Sequence, residues 1–198
     1  MKYSAPLFMM LGTVCVIACP PTAHGQSKPP SLATEAQVWV DQLDDDDLFL
    51  RQKAFLELEA LRDPASADTI RAHLTALDPN TRAFSARALA AVAGRSAVPV
   101  LLERWTKERH LYVRSSILIA LEPFWEQEPA VVATVLKALR DRKRDIRMVA
   151  ADIASHINRP EAREALQVRW KRERDRDVRL VLKRIMKDLD LLSQRRAS

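Results

Sequence analysis

Apolar residues recur along this chain in five windows that share one register. Aligned on Arg51, Arg82, Arg114, Arg147 and Arg179, the windows are spaced by 31, 32, 33 and 32 residues. One position earlier stand Leu50, Thr81, Val113, Ile146 and Val178. Three positions later stand Ala54, Ser85, Ile117, Ala150 and Leu182, and seven later Leu58, Leu89, Leu121, Ala154 and Met186. Only Thr81 and Ser85 among these are polar. Offsets of −1, +3 and +7 fall on one stripe of an α-helix, so each window predicts a helix that buries one face.

A second helical pattern lies between the windows and is usually opened by proline. Pro64, Pro79, Pro129 and Pro160 stand where a first helical turn begins, a position that tolerates a missing N–H. Asp63 and Asp78 precede two of them as N-caps. Thr34 and Gln37 have the spacing of a capping box for the first helix. Gly94 follows a helix where a left-handed residue closes the last turn. The pattern predicts an all-α chain of ten helices in five antiparallel pairs, over roughly residues 32–193. The segment 78–101, DPNTRAFSARALAAVAGRSAVPVL, becomes a helix, a tight glycine turn and the start of the next helix. Its small alanines suit close packing against neighbouring helices.

The turn Asp, the apolar-Arg pair, the Ala and Leu offsets, and the Gly before a Val-Pro-x-Leu start resemble HEAT repeats. The 32-residue period is similar to the short HEAT-like class of the phycobilisome lyases, and the fit is best over 78–122. Two departures affect loops: Asp44–Asp47 replaces a proline turn in the first repeat, and Arg142-Lys143-Arg144 forms a basic turn in the fourth. The resemblance implies an α-solenoid, a right-handed superhelix of about five helix pairs, with the second helix of each pair lining the concave face. It also suggests that the recurring arginines form a ladder between repeats with turn carboxylates. Asp47, Asp78 and Asp175 lie four residues before them, and Asp145 and Asp177 two before. The fold class says little about the biochemical task.

Residues 1–25 have the layout of a secretory signal peptide: Lys2, an uncharged apolar run over 5–18, then CPPTAHG. About 20 apolar residues are needed to cross a bilayer, more than this run supplies. Two processing routes stay open, cleavage after Ala23-His24-Gly25 or a lipobox-like Val16-Ile17-Ala18-Cys19 with lipid on Cys19. Pro20 is awkward for the second. Residues 26–31 form a flexible linker, and the repeat domain occupies 32–198. The expected location is therefore exported and periplasmic, soluble or lipid-anchored through Cys19, with no transmembrane segment in the mature chain.

Composition narrows the chemistry. The chain has 198 residues, a net charge of +6 and only 3 glycines, too few for a phosphate-cradling loop. Asp44–Asp47 lacks the Gly and Glu of a calcium loop, since Phe49 and Phe55 occupy those positions, so it reads as an acidic helix cap. His73, His110 and His156 share no metal-ligand spacing. No nucleophile-elbow motif is present. The sequence therefore predicts neither catalytic residues, metal nor cofactor.

Charge is unevenly placed, −5 over 26–63 and +10 over 64–198. The densest basic section begins at Arg169 and runs through Trp170, Lys171, Arg172, Arg174, Arg176, Arg179, Lys183, Arg184 and Lys187. It reads either as a solvated face or as a surface for an acidic partner or anionic lipid. Nucleic acid is set aside because an export signal removes the chain from cytoplasmic DNA. Trp105 and Trp170, each nine residues before a ladder arginine, are assigned to packing at the ends of first helices, and Trp170 also to partner contact. Pro123-Phe124-Trp125 is either a packed corner or an apolar bump. Offsets +1, +5 and +8 of each second helix, from Gln52, Leu56 and Glu59 to Leu180, Arg184 and Lys187, are assigned to the concave face. The candidate partner-binding residues are Arg87, Trp170, Lys171, Arg172, Arg184 and Lys187. The expected function is a non-catalytic scaffold or adaptor that binds another envelope protein with an acidic surface. The alternatives are an electrostatic binder of anionic membrane or polyanion, and an accessory subunit of a lyase-type enzyme.

Overall fold

The computed structural model describes residues 32–197, with side chains over 35–189. The signal peptide of 1–25, Cys19 and the linker of 26–31 lie outside the described residues. Among the described residues there are ten α-helices: α1 (Leu32–Val40), α2 (Leu48–Leu61), α3 (Ala67–Ala72), α4 (Pro79–Ala93), α5 (Val98–Lys107), α6 (Leu111–Leu121), α7 (Pro129–Ala138), α8 (Arg144–His156), α9 (Pro160–Arg172) and α10 (Arg176–Ala197). No strand occurs among the described residues. The helices form five consecutive pairs, and the second helices α2, α4, α6, α8 and α10 stack one on the next.

The arginine-aligned stripe forms the core. Of its fifteen positions only Leu50 and Met186 are not buried, and Thr81 and Ser85 are buried with the rest. These two hydroxyls are satisfied locally, Thr81 Oγ1 donating to Asp78 at 2.8 Å and Ser85 Oγ to the Arg82 carbonyl at 2.9 Å. A small polar residue therefore fits where a methyl group would. Ala83, Ala86 and Ala88 of α4 are fully buried, and α4 packs against both α2 and α6. Short side chains let three helices approach closely, which is why this stretch is alanine-rich.

Second helices touch along their length, whereas adjacent first helices α5, α7 and α9 barely meet. A cleft of about 1010 Å³ opens between them.

Asp47, Asp63 and Asp78 cap their helices, accepting from Phe49 N at 2.8 Å, Ala65 N at 3.1 Å and Thr81 N at 2.9 Å. The acidic run before α2 thus contains a working cap. Three local expectations need correction. Pro64 opens a 3-10 turn, and only six residues of the second pair's first helix are regular α-helix. Helix α1 begins at Leu32, which puts Thr34 inside its first turn, and Gln37 donates to Asp41 at 2.7 Å. Gly94 has φ 56° and ψ −134°, a region open to glycine rather than the left-handed helical well. The left-handed cap occurs instead at Arg62, with φ 54° and ψ 33°.

Residues Pro79–Lys107 form one helical run long and apolar enough to cross a membrane by length and composition. Gly94 folds it into α4 and α5, and half of its most apolar window is buried against other helices. The run is part of the protein core.

Candidate interaction surface and the arginine ladder

The ladder arginines make two kinds of contact. One guanidinium nitrogen of Arg51, Arg82, Arg147 and Arg179 donates to carbonyls of the loop just before its own helix. For Arg82 these are Ala76 and Leu77, at 2.8 and 2.9 Å; for Arg147 they are Asp141 and Arg142, at 3.0 and 3.2 Å. In the first four repeats the guanidinium also reaches into the next repeat. Arg51 meets Thr81 Oγ1 at 3.3 Å and Asp78 at 3.8 Å, Arg82 meets Glu108 at 2.9 Å, Arg114 meets Asp141 at 2.7 Å and Arg147 meets Glu173 at 2.9 Å. The inter-repeat ladder exists, but its acceptors differ from most of those expected. Asp47 and Asp175 cap helices instead, and Asp177 binds Arg144 at 2.9 Å. Only Asp78 serves as expected. Its fellow acceptors are Glu108, Asp141 and Glu173, each six residues before the arginine of its own repeat.

Glu108 and Glu173 are the most enclosed of these. One carboxylate oxygen of Glu108 accepts the backbone N–H groups of Arg109 and His110, both at 2.9 Å, and the other accepts Arg82 and Arg104. Glu173 repeats this with Arg174 N and Asp175 N on one oxygen and Arg147 and Arg169 on the other. Burial alone would raise both pKa values. Two arginines and two backbone donors outweigh it and hold each carboxyl at about 2. Asp78 and Asp141 are likewise lowered, against a burial effect of opposite sign, by hydrogen bonds to Thr81 and to Arg114 respectively. The Arg-Trp-x-x-Glu segments at 104–108 and 169–173 lie 65 residues apart, so the motif of the third repeat returns in the fifth.

All four tryptophans lie beneath a cation. Arg114 sits 4.7 Å from the Trp105 ring, Arg179 4.9 Å from Trp170, Lys53 5.1 Å from Trp39 and Arg159 5.8 Å from Trp125. Trp105 is buried as packing required, and the nine-residue spacing stacks a ladder arginine on it. Phe124 and Trp125 pack partly against the core, with Arg159 donating to the Trp125 and Glu126 carbonyls, so 123–125 is a packed corner.

The candidate binding residues divide into two groups. Arg87 lies on α4, half-buried and 3.3 Å from Glu59, far along the stack from the rest. Trp170 is half-buried at the end of α9; Lys171 and Arg172 are exposed beside it, and Arg184 and Lys187 are exposed on α10. Trp170 lines a cleft of about 480 Å³ with Arg174, Arg176, Arg179, Leu180 and Lys183. Of the candidates only Trp170 enters this cleft. Leu56, Ile119 and Leu180 are exposed on the second-helix layer at 41, 48 and 59%. Ala83 and Ala90 of the same assigned set are buried instead, because α4 is flanked closely on both sides. His73 bonds Asp44 at 3.1 Å and His156 bonds Glu122 at 2.6 Å, each joining neighbouring repeats. Among the described residues no group of three metal-ligating side chains comes together.

Helix pairs stacked in one direction, joined by a repeated side-chain bridge, define an α-solenoid. Residues 36–122, spanning the first three pairs, match the family model of HEAT repeats, and the fourth and fifth pairs continue the solenoid in the same register. Among solved structures it is similar to a chain in the complex of CpcE and CpcF of phycocyanin lyase from Nostoc sp. PCC7120. The TM-score is 0.65 at 17% identity, over 78% of this chain and 99% of that one. The likeness is one of fold. No curated protein matches the sequence.

Proposed function

We propose that this protein is a non-catalytic scaffold that binds another protein through the second-helix layer and the basic C-terminal end. The observation that carries the reading is where the strongly ionised groups are used. The carboxyls with lowered pKa values are committed to joints between repeats. The exposed second-helix positions Leu56, Ile119 and Leu180 instead offer apolar contact on a rigid layer. Arg174, Arg176 and Lys183 around Trp170 favour an acidic partner surface. Export to the cell envelope of a bacterium, with a periplasmic or Cys19-anchored location, is the setting that residues 1–25 support. Intact mass of the mature protein separates cleavage after Gly25 from lipid on Cys19.

Affinity capture from the envelope fraction, washed at low and moderate salt, tests the scaffold. A discrete protein retained at moderate salt, and lost with Leu56→Glu or Trp170→Ala, supports it. Recovery of lipid alone, released by salt, supports instead the reading of the basic end as an electrostatic binder of anionic membrane. The fold likeness to a chain of the phycocyanin lyase complex motivates a third reading, an accessory lyase subunit. Its sign is a coloured or covalently bound pigment in the purified protein.

A further inference from the structure

The ladder has an unused donor at one end and an unused acceptor position at the other. Arg51, Arg82, Arg114 and Arg147 have side-chain exposures of 19, 12, 16 and 11%, and each points at a group of the following repeat. Arg179 is built the same way. It donates to the Glu173 carbonyl at 3.0 Å and stacks on Trp170 as Arg114 does on Trp105. It is nevertheless exposed, and among the described residues it meets no carboxylate.

The first repeat supplies the other half. Six residues before its ladder arginine stands Asp45, the position held by Glu108, Asp141 and Glu173 in later repeats. Asp45 matches Asp141 atom for atom. One carboxylate oxygen of each accepts the N–H two residues on, Asp47 N at 2.8 Å and Lys143 N at 2.9 Å. The backbone carbonyl of each accepts Nη1 of the ladder arginine in its own repeat. The second oxygen of Asp141 receives Arg114 from the preceding repeat. The second oxygen of Asp45 has no donor among the described residues.

We infer that a second copy of this chain docks head to tail, with Arg179 of one copy bonding Asp45 of the next and continuing the ladder across the joint. The surrounding substitutions fit a polar joint. Four residues after each ladder arginine the first four repeats bury Phe55, Ala86, Leu118 and Ala151, whereas the fifth exposes Lys183. Phe55 packs edge-on against the His73 ring of the following repeat, with centroids 5.6 Å apart. The equivalent pair across two copies is Lys183 and Gln42, with Asp41 beside it. An apolar contact inside the chain thus becomes a charged one between chains, at the basic end of one copy and the acidic end of the other. Such a joint forms reversibly and weakens with salt. Because it is heterologous, it leaves a free end on each side and grows into short open chains rather than closed dimers.

Sedimentation velocity at low and moderate salt tests this on the purified protein, together with Arg179→Gln and Asp45→Asn, which keep side-chain shape and the turn acceptor. The wild type is expected to grow beyond a monomer with concentration at low salt and to revert as salt rises. Each variant alone is expected to associate about tenfold or more weakly. An equal mixture is expected to form dimers and nothing larger, because Arg179→Gln retains an intact Asp45 and Asp45→Asn an intact Arg179. A wild type that stays monomeric at low salt, or variants that associate as it does, would overturn the inference. So would a mixture that sediments like its separate components.

Discussion

Arg82 Nε lies 2.9 Å from Glu108 Oε2, joining the second helix of one repeat to the turn that opens the second helix of the next, 26 residues on. Arg147 and Glu173 repeat the contact at the same distance and separation. In both, a glutamate with at most 3% of its side chain exposed holds two arginines and two backbone N–H groups. The bridge and the helix stacking are therefore one structural event. Where the second helices stack in this register, the carboxylate reaches the guanidinium.

Glu108→Gln leaves Arg82 and Arg104 around a neutral side chain in a nearly dry site. Removing one member of a buried ion pair costs about 3–5 kcal/mol, and urea unfolding is expected to show a loss of this size. Arg179→Ala, whose side chain is exposed, is expected to cost about 1 kcal/mol or less. Equal losses for the two variants would show that the bridge contributes nothing beyond a surface pair.

Acid should unfold the protein through the same carboxyls. Glu108 and Glu173 sit at about 2 in the folded protein, against an ordinary value of 4.5. A lowered pKa in the folded state means that the unfolded chain binds more protons between those values. The stabilisation, on the order of 3 kcal/mol per glutamate, is complete above about pH 5 and disappears as pH falls toward 2. Asp78 and Asp141 act in the same direction. Melting temperature measured from pH 7 to pH 2 should be flat at first and then fall, and Glu108→Gln should make that fall shallower.

Gly94→Ala should destabilise by about 1–3 kcal/mol through the backbone alone. A Cβ there would meet nothing within 4 Å, while φ stays at 56°. Arg62→Gly is expected to have the opposite sign, because it relieves a left-handed non-glycine cap, for a gain of about 1 kcal/mol or less. Thermal melts of the two variants check both signs.

Ala86 is fully buried where α4 meets its neighbours. Ala86→Leu is expected to cost about 1–3 kcal/mol by overpacking. A neutral result would mean that the alanines of α4 are not what sets the helix spacing.

Much of the architecture was legible because a solenoid repeats its own pattern. The −1, +3 and +7 stripe gave the five buried faces, and the prolines and aspartates gave most helix starts. The acceptor carboxylates were harder to read. Glu108, Asp141 and Glu173 do share the −6 position, but in sequence they look like ordinary turn charges, and nearer carboxylates such as Asp47 and Asp175 compete for the role. The stacking of Arg114 on Trp105 was likewise present only as a spacing. Of the candidate binding residues, only Trp170 entered the C-terminal cleft, since Lys171 and Arg172 are exposed outside it and Arg184 and Lys187 stand about one turn further along α10 than Leu180 and Lys183, which line it.

The sequence by itself determined the number of helix pairs, their register and the face each buries, because those follow from a period of 3.6 residues and from local capping chemistry. Tertiary structure decided which carboxylate each arginine holds. That choice depends on how far one repeat is rotated and shifted against the next, a quantity set by packing of alanines and leucines between helices and not encoded in any single segment. The same rotation buries Glu108 and Glu173, lets arginines and backbone N–H groups lower their pKa values, and leaves Arg179 and Asp45 at opposite ends of the stack.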